Sequence, residues 1–238
     1  MRRVVGLLSV ATLVSIIVGG VMLAPSAGAG TTKQFCASYQ KFVLAFGVPF
    51  NEGTPTAEQI AAVQPQLDRA IGAAQKSAPP AITNELKLMA DRLHAGLGGI
   101  IANSDPAFFY DSFDAADQWA IKHCAYRVLN ITADDFSFKG VPKTVKPGFV
   151  ALNVKNVAPT SHGIVVVRAT GTETAAEIAA LPLEEALTKV EVIASGVSAG
   201  AGKTVVNYAD FKKPGRYAVV DPGHLAEKMY AEFKVKKG

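Results

Sequence analysis

The chain has 238 residues, with Lys+Arg 24 against Asp+Glu 20, two Cys and one Trp. Hydrophobic residues at 49% and charged residues at 18% exclude a disordered chain and a polytopic membrane protein. A formal charge of +4 without a basic stripe excludes nucleic-acid binding, and the length suits one large domain or two small ones at roughly 100–200 residues each.

Met1-Arg2-Arg3 is a short positive segment, and the stretch from Val4 to Ala24 carries no charge. Pro25 follows, then Ala27-Gly28-Ala29, the small-x-small pattern that a signal peptidase requires. This reads as a secretory signal over residues 1–29, cleaved near Ala29. An uncleaved anchor is the alternative, because about 20 apolar residues can span a bilayer. Gly19-Gly20 and the Ala-x-Ala site favour cleavage, which leaves a formal charge of +2 once Arg2 and Arg3 are gone. Export places Cys36 and Cys124 in an oxidising compartment, where an even count predicts a disulfide. A metal pair would need further donors, and only His123 lies beside them.

From residue 31 to 125 the apolar residues recur at helical spacing. Phe35, Tyr39, Phe42 and Phe46 line a first helix, ended by Gly47 and Pro49. Thr56 and Gln59 form a capping box for a second helix, with Ile60, Val63, Leu67 and Ile71 as its stripe and Pro65 as a kink. Pro79-Pro80 breaks the chain before a third stripe, Ile82, Leu86, Met89, Leu93, Leu97 and Ile100. Asp105-Pro106 then caps a fourth helix carrying Phe109, Phe113, Ala116 and Ala120. Short links predict an up-down four-helix bundle. In that topology the start of the first helix meets the end of the fourth, where Cys36 and Cys124 sit.

From residue 126 to 238 the period changes to short segments rich in Val, Ile, Phe and Tyr, separated by Gly, Pro and Asn. The strands expected are Tyr126–Thr132, Phe149–Asn156, Gly163–Arg168, Val190–Ala194, Thr204–Tyr208, Arg216–Val220 and Met229–Val235. Thr172–Thr188 reads as an inserted helical segment interrupted by Pro182. Seven short strands imply a Greek-key β-sandwich. The fold class is thus α+β in two domains, a disulfide-bonded helical bundle followed by the sandwich.

Several motifs fall short. Gly196 to Thr204 resembles a phosphate-binding loop, but five residues precede the Gly-Lys pair where four are needed, and strand-like residues follow instead of a helix. It reads as a flexible loop, and nucleotide is excluded. Asp134-Asp135 lacks the further acidic ligands of a calcium loop and reads as a solvated turn. Asn130-Ile131-Thr132 is a glycosylation triplet of a kind common by chance. His94 reads as partly buried packing. No Ser-His-Asp arrangement or Gly-x-Ser-x-Gly elbow is visible, so no catalytic activity is expected.

Two stretches carry chemistry. In one, Asn156 leads through a loop to His162, just before a strand. In the other, Gly215-Arg216-Tyr217 opens a strand that ends in Asp221-x-x-His224-x-x-x-x-Met229. The pair resembles the cupredoxins, the fold of plastocyanin- and azurin-type blue copper proteins, over residues 126–238. In that family a His after an Asn-rich strand end and a Cys-x-x-His-x-x-x-x-Met run supply the ligands. The resemblance puts His162, His224 and Met229 on ligand positions and Asp221 where the Cys would be. A carboxylate is a harder donor than a thiolate, suited to Cu(II) or Zn(II) and poor for Cu(I), so a blue electron shuttle is excluded. Two outcomes stay open: a non-blue copper or zinc site, or a scaffold without metal in which Asp221 caps a turn and Met229 packs in the core. The whole chain also resembles a class of exported actinobacterial proteins, through the Phe35-Cys36-x-x-Tyr39 start of the first helix and the domain order. That resemblance implies a secreted or cell-envelope location and no defined activity; the partners expected from the two open outcomes are a metal ion or an envelope protein.

Overall fold

The structure, a computed structural model, describes residues 31–47, 56–94 and 106–236. The export segment, Leu97, Ile100 and Asp105 lie outside them. The chain runs through helices α1 (Thr32–Gly47), α2 (Ala57–Lys76), α3 (Thr83–His94) and α4 (Pro106–His123), then into strands. Thr56 starts α2 through the expected capping box: the Gln59 backbone N–H donates to its hydroxyl (3.3 Å), and its own N–H donates to Gln59 Oε1 (2.8 Å). Pro65 lies inside α2 without ending it. Consecutive helices pack on one another through the expected stripes, with Tyr39, Phe42, Leu67, Ile71, Leu86, Met89 and Leu93 all fully buried.

Cys36 and Cys124 form a disulfide across 88 residues, with Cα atoms 5.5 Å apart. It ties the second turn of α1 to the residue after α4. Closing a loop of that length removes about 4–5 kcal/mol of chain entropy from the unfolded state.

The strands are β1 (Arg127–Asp134), β2 (Ser137–Lys139), β3 (Thr144–Val145), β4 (Gly148–Asn156), β5 (His162–Ala169), β6 (Val190–Ala199), β7 (Thr204–Phe211), β8 (Gly215–Val220) and β9 (Tyr230–Val235). They form a mixed sandwich. One sheet has the order β2-β1-β4-β7, the other β3-β9-β8-β5-β6. The pairs β1–β4 and β3–β9 are parallel and the rest antiparallel. Between β5 and β6 the inserted segment forms α5 (Ala175–Ala179) and α6 (Leu183–Thr188), with Pro182 at the break. The expected flexible loop after Gly196 is shorter than its composition suggested. Gly196 to Ala199 continue β6, and a tight turn closed by Lys203 N–H on the Gly200 carbonyl (3.0 Å) leads into β7.

Val150, Leu152 and Val154 of β4 point into the sandwich with Ile164, Val166, Phe211 and Val219. The opposite face of the same sheet is also covered. Ala151, Val206 and Tyr208 belong to the apolar cluster built by the helices. At that contact Asp117 of α4, 4% exposed, accepts hydrogen bonds on Oδ1 from the hydroxyls of Tyr39 (2.6 Å) and Tyr208 (2.7 Å). Nearby, the Tyr126 hydroxyl donates to the Cys36 carbonyl (2.5 Å).

Burial raises the Asp117 pKa from 3.8 to about 7, against the opposing pull of its two tyrosine donors. The folded chain therefore keeps a proton that the unfolded chain releases, and stability falls as pH rises from about 4 to 7. Asp117→Asn keeps an acceptor and has no proton to lose. Its melting temperature, measured from pH 4 to 7, should fall less steeply than that of the wild type. Parallel curves would mean that Asp117 is ionised in the fold.

Candidate metal centre

His162 is the first residue of β5, and the loop before it is held by Asn156. The Asn156 amide nitrogen donates to the carbonyls of Thr160 (2.7 Å) and Ala199 (2.8 Å), and its oxygen accepts from Ala158 N–H (2.9 Å). Asp221 follows the last residue of β8. A 3-10 turn over Pro222–His224 then brings His224 back over it, with the Gly223 N–H donating to Asp221 Oδ1 (2.9 Å). The loop closes where Asp221 N–H donates to the Met229 carbonyl and Met229 N–H donates to the His224 carbonyl, both at 3.0 Å. β5 passes close by. A Cβ on Gly163 would lie 3.2 Å from Asp221 Oδ1, so a side chain there would displace the carboxylate.

The result is a compact group of three donors. Asp221 Oδ2 lies 2.9 Å from His162 Nδ1 and 2.8 Å from His224 Nδ1. One potential ligand atom from each residue lies within 4.8 Å of the others. His162 is 0% exposed and Asp221 2%, while the His224 side chain is 26% exposed and opens the group to solvent. His162 Nε2 lies 3.5 Å from Thr160 Oγ1. The exposed ring of Phe136, at the β1–β2 turn with a φ of 54°, stands 5.5 Å from the His224 ring.

Metal bonds to nitrogen or oxygen of about 2.0–2.1 Å, meeting at a right angle, place two donors about 2.8–3.0 Å apart. The two spacings found here suit neighbouring ligands of a tetragonal ion. They also suit plain hydrogen bonds from two Nδ1–H groups to one carboxylate.

The structure thus brings together His162, Asp221 and His224 from the sequence-derived set. Met229 joins the same loop through its backbone bonds to Asp221 and His224, and its side chain is fully buried in the sandwich core with Val219 and Phe233. Asp135 lies in the expected turn, while Asp134 is the last residue of β1 and pairs with Lys139 (2.5 Å). Phe136 gave no signal in sequence, because only the fold of the hairpin carries it to His224.

Part of the chain is similar to solved copper proteins. Auracyanin from Roseiflexus castenholzii is 21% identical with a TM-score of 0.34, covering 47% of this chain and 98% of that one. The blue copper protein auracyanin A from Chloroflexus aurantiacus is 22% identical with a TM-score of 0.34, covering 46% and 98%. A copper-containing nitrite reductase from Thermus scotoductus is 17% identical with a TM-score of 0.30, covering 47% and 31%. No protein-family model and no curated protein matches the sequence.

Without metal, Asp221 is the acceptor for the buried His162 ring. Asp221→Ala, unfolded in urea with a chelator present, should lose about 1–3 kcal/mol, the cost of a buried donor left unpaired. Unchanged stability would show that His162 is satisfied without Asp221.

Proposed function

We propose that this is an exported cupredoxin-like protein that holds one Cu(II) or Zn(II) ion through His162, Asp221 and His224. The observation that carries the reading is the convergence of both Nδ1 atoms on one carboxylate oxygen at ligand spacing. Its family resemblance rests on the Asp221-x-x-His224-x-x-x-x-Met229 run and on the His162 loop held by Asn156. Two imidazoles and a carboxylate favour the divalent ion, and without a thiolate the copper form is pale, not blue. Buried Asn156 and the exposed Thr160 flank His162 and orient it. The partly exposed His224 leaves room for a solvent ligand. Such a site stores or carries metal outside the cytoplasm and does no catalysis. The helices, as an up-down bundle tied by the disulfide, serve as a rigid platform at the cell envelope.

One observation favours a second reading, a metal-free scaffold that acts by contact with an envelope protein. Asp221 already has all three donors it needs, from His162, His224 and Gly223.

Cu(II) titrated into the mature chain distinguishes the two. The metal reading expects one saturable site by calorimetry and a tetragonal, nitrogen-coordinated electron paramagnetic resonance signal. Affinity should drop at least about 100-fold in His162→Ala and in His224→Ala, because two remaining donors rarely hold the ion. Weak, superstoichiometric binding that both variants retain would favour the scaffold.

A further inference from the structure

The outer face of the five-stranded sheet breaks the usual alternation. An antiparallel sheet packed on one face is expected to be polar on the other. Here Ile164 and Val166 point inward, yet Val165 and Val167 on the outer face are apolar too. Val192, Ala218 and Val220 extend that face onto the neighbouring strands. Such a face needs a cover, and the inserted α5 and α6 supply one through Ile178 and Ala186.

The cover is incomplete. Two helices of five and six residues bridge the face and leave a half-open cavity of about 130 Å³ beneath them. Leu183 and Leu187 of α6 line its mouth and remain 63% and 56% exposed. A dry apolar cavity of about 150 Å³ is enough to bind a benzene-sized molecule. The lining here reaches from β6 across β5 and β8 to β9, roughly 14 Å at about 4.8 Å per strand. An extended alkyl chain fits that dimension, and a single ring does not fill it.

Three charged side chains line the cavity: Glu173, Arg216 and Glu232. Glu173 is paired with Lys189 (3.3 Å), and Glu232 accepts the Ala175 backbone N–H at the start of α5. Arg216 sits in the β8–β9 ladder, but its side chain makes no hydrogen bond or ion pair among the described residues and acts on Glu177 only through space. Its five donors suit a carboxylate.

We propose that this cavity binds a medium-chain alkyl carboxylate, with the chain under α5 and α6 and the head group on Arg216. The site is distinct from the metal centre and does not depend on it. Octanoate and 1-octanol are the probes, titrated into the full mature chain and followed by calorimetry and by the methyl NMR signals of Val165, Val167 and Leu183. Octanoate should saturate one site, and those methyls should shift with it. Arg216→Gln should weaken octanoate about tenfold and leave octanol unchanged. Ala218→Phe, which fills the cavity, should abolish both. If that variant fails to fold, Arg216→Gln alone decides. Linear, non-saturating octanoate shifts would overturn the site, and equal octanoate affinity in Arg216→Gln would overturn the head-group assignment.

Discussion

Two imidazoles and a turn amide share the Asp221 carboxylate, and the whole ligand end of the sandwich is arranged to keep those donors in place. Burial makes the constraint strict. A carboxylate that is 2% exposed gains little from water, so both oxygens must be met by protein donors or by a cation. The 3-10 turn after β8, the Asp221–Met229 backbone pair and the glycine at position 163 all serve that requirement.

The second constraint is that both sheets are covered on their outer faces. The helices cover the four-stranded sheet, meeting it at the Asp117–Tyr39–Tyr208 group, and the inserted α5 and α6 cover the five-stranded sheet in part. The first cover rests on Ala151, Val206 and Tyr208, leaves Asn130 and Lys155 exposed, and carries a buried acid whose proton depends on pH. The second leaves a cavity. The same sandwich thus has one face packed on the helices, one face with a cavity beneath α5 and α6, and a donor cluster where the β5 and β8 ends meet.

Much of this was legible in the sequence, for identifiable reasons. The Thr56–Gln59 cap, the Val150–Val154 alternation and the helical break at Pro182 are local signals, and each element stands where those signals put it. β2 and β3 escaped notice because three and two residues are too short to show a period. The His162–Asp221 approach spans 59 residues and emerged only through the resemblance of the His224–Met229 spacing. Met229 came by the same route, and its backbone closes the donor loop while its side chain is buried in the core. The Tyr208–Asp117 bond, 91 residues apart and across the helix-to-sheet boundary, left no trace in either segment's pattern. The outer-face valines left one that was not used. An unbroken run such as Ile164-Val165-Val166-Val167 means that both faces of β5 are covered.

The most direct measurement is a long-range nitrogen–proton NMR spectrum of the His162 and His224 rings, recorded with and without one equivalent of Zn(II). If the three donors hold the ion, both Nδ1 atoms lose their protons and shift together, while both Nε2–H groups remain. Rings whose Nδ1–H groups persist unshifted at saturating zinc would contradict a metal centre built on Asp221, and would leave that carboxylate as the acceptor for two structural histidines.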